Sequence, residues 1–158
     1  MDVITRSFPA YSLRGWDLTE LLSEPSEEIF AARLADLDAA LAAFEARRAD
    51  LHPGMDPRAF LDILRQYEGL TNRLQILSGY AALWFYADTG SQEALTFRNR
   101  VRQMATAAAN RMLFFTLWWR SLSDDEAWRL LPGESEHGDH RHYLQDLRRF
   151  KPHTLDEK

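Results

Sequence analysis

Between Pro57 and Arg120 the helical period of the sequence is interrupted at one place only, Asp88-Thr89-Gly90. Two long helices joined by so short a turn must lie side by side and antiparallel, and that pair dictates the rest of the fold. The first opens at Asp56-Pro57, an N-cap followed by the one residue whose missing N–H costs nothing at the first helical position. It carries Phe60, Ile63, Leu64, Tyr67, Leu74 and Leu77 at helical steps, then an aromatic end from Tyr80 to Ala87. The second spans 91–120, roughly 45 Å at 1.5 Å per residue. Its middle, Met104 to Ala109, is small-sided, and its end, Phe114 to Trp119, is apolar all round. Gly69 and Gly79 inside the first helix each cost about 1 kcal/mol against alanine, and they are expected to mark close approach of a neighbouring helix.

The flanking elements follow from the same signals. A helix is predicted over 26–48, with Ser26 as N-cap, Glu27 and Glu28 in the first turn and Arg47 and Arg48 in the last. Leu34, Leu37, Leu41 and Phe44 are expected to form its buried stripe, and Leu51 to Met55 breaks it. Ahead of it, Trp16 to Leu22 is a short apolar anchor behind an irregular segment, residues 1–15. After the long pair, Ser123 and Glu126 have capping-box spacing and start a short helix to about Leu131. A loop over 132–138 leads to a final helix, 139–149, with Tyr143, Leu144 and Leu147 inward. No strand-like alternation, internal repeat or low-complexity tract competes. The fold class is all-α, an antiparallel helical bundle with long helices.

Composition narrows the function. With 158 residues, 46% hydrophobic and 27% charged, the chain suits one domain with a real core. A net charge of −5 argues against a phosphate grip, so no nucleic-acid partner is expected. Arg141, Arg148, Arg149 and Lys151 do cluster, but Asp139, Asp146, Asp156 and Glu157 are interleaved with them, which reads as a solvated helix face. The absence of cysteine excludes disulfides, thiolate-ligated zinc and thiol catalysis, and fits a reducing cytoplasm. Residues 1–15 do not read as a signal peptide, and no run approaches the roughly 20 apolar residues of a membrane span, so no membrane partner is expected.

Candidate chemistry is sparse. His137, His140 and His142, with Glu136 and Asp139, form a possible metal cluster. His140 and His142, however, lie two apart and point to different sides of a helix, so a polar loop and solvated helix start is the preferred reading. The zincin pattern places Glu directly after the first of two histidines four apart. Here His52, His137, His140, His142 and His153 are followed by Pro, Gly, Arg, Tyr and Thr. There is no glycine-rich phosphate loop and no nucleophile elbow. Asp88, beside Tyr80, Trp84 and Tyr86, could orient a ligand, but an aspartate at such a turn more often satisfies backbone N–H groups. The aromatic runs Trp84–Tyr86 and Phe114–Trp119 could line a groove, fill a core, or face a further part of the protein, and their density favours the last. No catalytic, cofactor-binding or metal-ligating residue is assigned in this chain.

Thr154 and Glu157 again have capping-box spacing, so residues 154–158 are expected to start a further helix in a longer protein. Three segments carry a family resemblance: Trp16 to Leu21, Ser78 to Thr89, and, most specific, Arg141 to Leu155. Together they resemble the N-terminal region of oligoendopeptidase F and its relatives among the thimet-oligopeptidase-like zinc metallopeptidases. The resemblance covers nearly the whole chain from Trp16, so residues 16–153 are expected to be that N-terminal helical domain. It implies a cytoplasmic, almost wholly helical enzyme that cleaves short peptides inside a deep channel. A later catalytic domain would carry His-Glu-x-x-His and a further Glu, so zinc is expected in the full-length parent and none in this chain. The implied partners are that C-terminal catalytic domain and short peptide substrates, and the helices here would form one wall of the channel. Self-association through exposed apolar surface is expected of the chain alone. Two other readings stay open: a free-standing helical interaction module, and a small metal-dependent enzyme or sensor built on the His137 cluster.

Overall fold

The structure, a computed structural model, describes residues 17–19, 21, 27–131 and 138–153. The irregular segment 1–15, Trp16, the Ser26 cap, the loop 132–137 and the Thr154–Glu157 capping box lie outside the described residues. In chain order come α1 (Glu27–Ala46), a 3-10 turn (Arg47–Asp50), α2 (Pro57–Ala87), α3 (Gln92–Ser121), α4 (Asp124–Arg129), α5 (Gly138–Arg149) and a second 3-10 turn (Lys151–His153). Among the described residues there is no strand. The fold is all-α, and α2 and α3 make its most extensive pairing.

Local chemistry sets the helix starts. Asp56 accepts from Arg58 N at 2.8 Å and Ala59 N at 3.4 Å, with Pro57 at the first helical position. Ser91 Oγ accepts from Ala94 N at 3.2 Å. Ser123 and Glu126 close a full capping box: Ser123 Oγ accepts from Glu126 N at 3.2 Å, and Ser123 N donates to Glu126 Oε2 at 2.7 Å. Each bond occupies a first-turn N–H, or the cap's own, that has no partner within its helix. Between α2 and α3, Asp88 Oδ1 accepts from Gly90 N at 3.0 Å and Asp88 O from Ser91 N at 3.1 Å, which turns the chain back on itself.

The long pair is filled at two levels. Towards the α3 C-terminus, Phe44, Phe60, Phe115, Trp119 and Leu144 are essentially inaccessible, with the Phe60 and Trp119 rings stacked at 5.2 Å. Towards the α2 C-terminus, Phe30, Leu77, Tyr80, Phe97 and Val101 form a second cluster, on which Leu18 and Leu21 of the N-terminal anchor pack. Met104 touches both clusters and joins them. Across α1 and α3, Arg111 grips Glu45 with two bonds of 2.9 and 2.7 Å and reaches Asp38 at 2.5 Å.

Several sequence expectations change. Leu34 is 36% exposed, while Phe30 is buried in its place. At 100° per residue, Phe30, Leu37, Leu41 and Phe44 centre on a line that Leu34 misses by roughly 50°. The run Phe114–Trp119 does not face outward: Phe114, Phe115 and Trp119 are core, because α1, α2 and α5 all converge on the end of α3. Tyr143 is 42% exposed rather than inward, although Leu144 is fully buried. Among the described residues neither Gly69 nor Gly79 marks a close helix approach, since a methyl added at either would meet nothing within 4 Å beyond its own helix's backbone.

Candidate functional site

α5 is short and polar, so its position depends on how it is tied to α3. Trp119 Nε1 donates to Leu144 O at 2.9 Å and Arg120 Nε to Leu147 O at 3.2 Å. In return, Arg148 donates to Trp119 O and Leu122 O, both at 2.9 Å, and to Asp124 Oδ1, while Lys151 Nζ reaches Leu122 O. Each helix thus satisfies carbonyls near the other's C-terminus, and the cations meet the negative end of the α3 dipole. The hydrogen bond from Arg148 holds the Asp124 carboxyl below the usual carboxylate range.

This corrects the reading of the basic cluster as a solvated face. Arg148 is only 11% exposed, and Arg141 donates to Leu131 O at 3.0 Å with its guanidinium 5.4 Å from the Trp128 ring. Arg149 alone behaves as expected, exposed and 3.1 Å from Asp146. Alternation of charge along a sequence does not reveal that backbone carbonyls, not water, wait on the other side.

So tied, α5 runs beside the first half of α2 and leaves a groove of about 690 Å³ between them. At one side Tyr67 Oη and Tyr143 Oη are 3.0 Å apart with their rings stacked at 6.3 Å. Burial, and then the Tyr67 hydrogen bond, push the Tyr143 phenol well above its ordinary range. His140 Nε2 lies 3.7 Å from Glu68 Oε2 across the groove. Gly69, Asn72 and Gln75 complete the α2 lining. Thr71 Oγ1 is taken up by Tyr67 O at 2.9 Å, whereas among the described residues no side-chain hydrogen bond engages Asn72 or Gln75.

The histidines do not converge. His140 faces α2, while His142 is 80% exposed and lies 3.4 Å from Asp146. Glu136, His137 and the Asp139 side chain lie outside the described residues. Among the described residues no three His, Asp or Glu side chains are grouped to hold a metal. Asp88 is committed to its turn. Of its aromatic neighbours, Tyr80 is buried and Tyr86 exposed, with Arg98 over the Phe85 ring at 4.6 Å and the Tyr86 ring at 5.6 Å. A cation therefore covers part of the aromatic end of α2.

Sequence reasoning passed over Glu68, Asn72 and Gln75. Their signal was present as polar residues at helical spacing around Gly69, a glycine with no packing reason to be there. What could not be seen was that Tyr143, 76 positions away from Tyr67, would close the other side.

Residues 118–158 match the family model described as Oligopeptidase F, which represents the N-terminal part of M3 peptidases. No curated protein or solved structure matches the chain. The matched stretch contains α4, α5 and all of Arg141 to Leu155, so the chain has an oligoendopeptidase F-like N-terminal region there. Trp16 to Leu21 and Ser78 to Thr89 fall outside the match.

Proposed function

We propose that this chain is the N-terminal helical domain of a zinc-dependent oligoendopeptidase that hydrolyses short peptides, and that it serves as wall and scaffold of the substrate channel. One observation carries the reading: the oligopeptidase F match begins at Trp118 and covers the segment that ties α5 to α3. The matched stretch thus includes α5, which supplies His140 and Tyr143 to one side of the exposed groove. No ligating set converges among the described residues, and none of the five histidines begins a His-Glu-x-x-His. No hydrolytic step is therefore derived from this chain. Zinc belongs, in this reading, to a catalytic domain further along a cytoplasmic protein, and that domain is the chain's partner. No described helix is long and apolar enough to cross a membrane.

The test is to assay the purified chain with quenched short peptides, with and without zinc, and to read the source gene past the codon for Lys158. The expected results are no turnover and a continuing frame that encodes His-Glu-x-x-His. Turnover that survives repurification would overturn the scaffold role. A second reading, a stand-alone helical interaction module, is favoured by large apolar side chains left exposed on the long helices, Ile76 and Leu113 among them. A stop codon directly after Lys158 would select it.

A further inference from the structure

We infer that the groove between α2 and α5 binds the backbone of a short extended peptide, with Gly69 as the point of closest approach and the Asn72 and Gln75 amides as its hydrogen-bond partners. The inference rests on the peptidase reading above for its ligand class, and on two independent observations for its place.

The first is the glycine. Gly69 sits inside the 31-residue helix α2, where glycine weakens the helix, yet among the described residues no atom outside the adjoining backbone lies within 4 Å of where its side chain would begin. Protein packing gives it no reason to be glycine. It does line the groove, and a missing side chain on a groove wall lets another backbone come close. Gly79 is equally open but is not part of that lining, so it serves as an internal control.

The second is the pair of amides. Asn72 and Gln75 are three apart on one helix, so their side chains emerge about 5–6 Å from each other. An extended chain repeats its outward-facing peptide groups every two residues, about 6.4–6.8 Å. A side-chain amide offers one acceptor and two donors and so matches a peptide group in both directions. Among the described residues neither amide has a side-chain partner, so both are available. The stacked Tyr67 and Tyr143 rings give the groove an aromatic flank for a ligand side chain. A groove of about 690 Å³ is of the size that holds a few residues.

The experiment is a heteronuclear NMR titration of the whole chain with N-acetyl tetra-alanine amide, whose blocked ends leave only backbone and methyl groups to be recognised. The Asn72 and Gln75 side-chain amides should shift on binding. Gly69→Ala should raise Tm by roughly 2–4 °C while weakening the peptide by about fivefold or more. Gly79→Ala should raise Tm similarly and leave the affinity unchanged. Replacing Asn72 and Gln75 together by alanine should weaken binding about tenfold. No binding at millimolar peptide, or binding that Gly69→Ala and the amide variants leave intact, overturns the site. These outcomes are separable from the peptidase reading. A continuing metallopeptidase frame with no binding here sinks the groove alone, and binding with no such frame sinks the peptidase alone.

Discussion

Arg148 and Trp119 recognise each other twice, since the guanidinium donates to the Trp119 carbonyl at 2.9 Å and lies 5.8 Å from the centre of the same residue's ring. The indole N–H in turn donates to Leu144, four residues before Arg148. A side chain that serves two buried-end carbonyls cannot be shortened without leaving them bare. Arg148→Met is expected to destabilise the fold by about 1–3 kcal/mol, read as a lower urea midpoint. Arg149→Met, on an exposed neighbour, should change it by less than about 0.5 kcal/mol.

The Arg111 clamp makes stability depend on acid. Its hydrogen bonds to Glu45 hold that carboxyl below its ordinary value of 4.5. A lowered carboxylate contributes stability that is present above the unfolded value and lost as pH falls through the folded one. The difference in unfolding free energy between the wild type and Arg111→Met should therefore be positive at neutral pH and shrink below about 4.5. Because the pair is partly exposed, the neutral-pH difference should stay near 1 kcal/mol or less and diminish in high salt. Denaturant titrations over an acid pH series read it directly.

Base acts through the tyrosine pair. The folded state keeps the Tyr143 phenol protonated past its ordinary value of 10.0, so its contribution is complete below that value and declines as pH rises above it. Tyr143→Phe should lose about 0.5–1.5 kcal/mol at neutral pH, for the Tyr67 hydrogen bond, and show a shallower decline in base. Tyr80, raised by its burial, adds to the decline in the same direction.

Core position, not residue type, should rank apolar truncations. Phe115→Ala, at a side chain with no exposure, is expected to cost about 3–5 kcal/mol. Leu34→Ala, at the edge of the α1 stripe, should cost no more than about 0.5 kcal/mol. Thermal or urea unfolding of the two variants separates the observed packing from the one that periodicity alone predicts.

What the sequence disclosed was whatever a helix settles within one turn. Asp56, Ser91 and the Ser123–Glu126 box are legible because cap and partner lie two or three residues apart, and their bonds appear as spacing predicts. The helix order and the all-α class follow from those caps and the intervening periods. The candidate groove was hidden because its two sides come from α2 and α5, and nothing in Tyr67 announces Tyr143. Arg141 and Arg148 were misjudged for a related reason, since their acceptors are carbonyls of α3 and the α4 end, which carry no sequence signature. Gly69 shows the opposite failure. The sequence flagged it correctly as unusual, but a glycine facing open space and one facing a helix look alike on paper.

The 30-residue α3 is a single rod of roughly 45 Å, and its last turn exchanges hydrogen bonds with α5 at Trp119, Arg120 and Arg148. The same rod carries Phe97 and Val101 into the second core cluster near its start. Its two ends are thus held by different partners, and cutting the α5 ties would loosen one end while the other stays seated between α1 and α2.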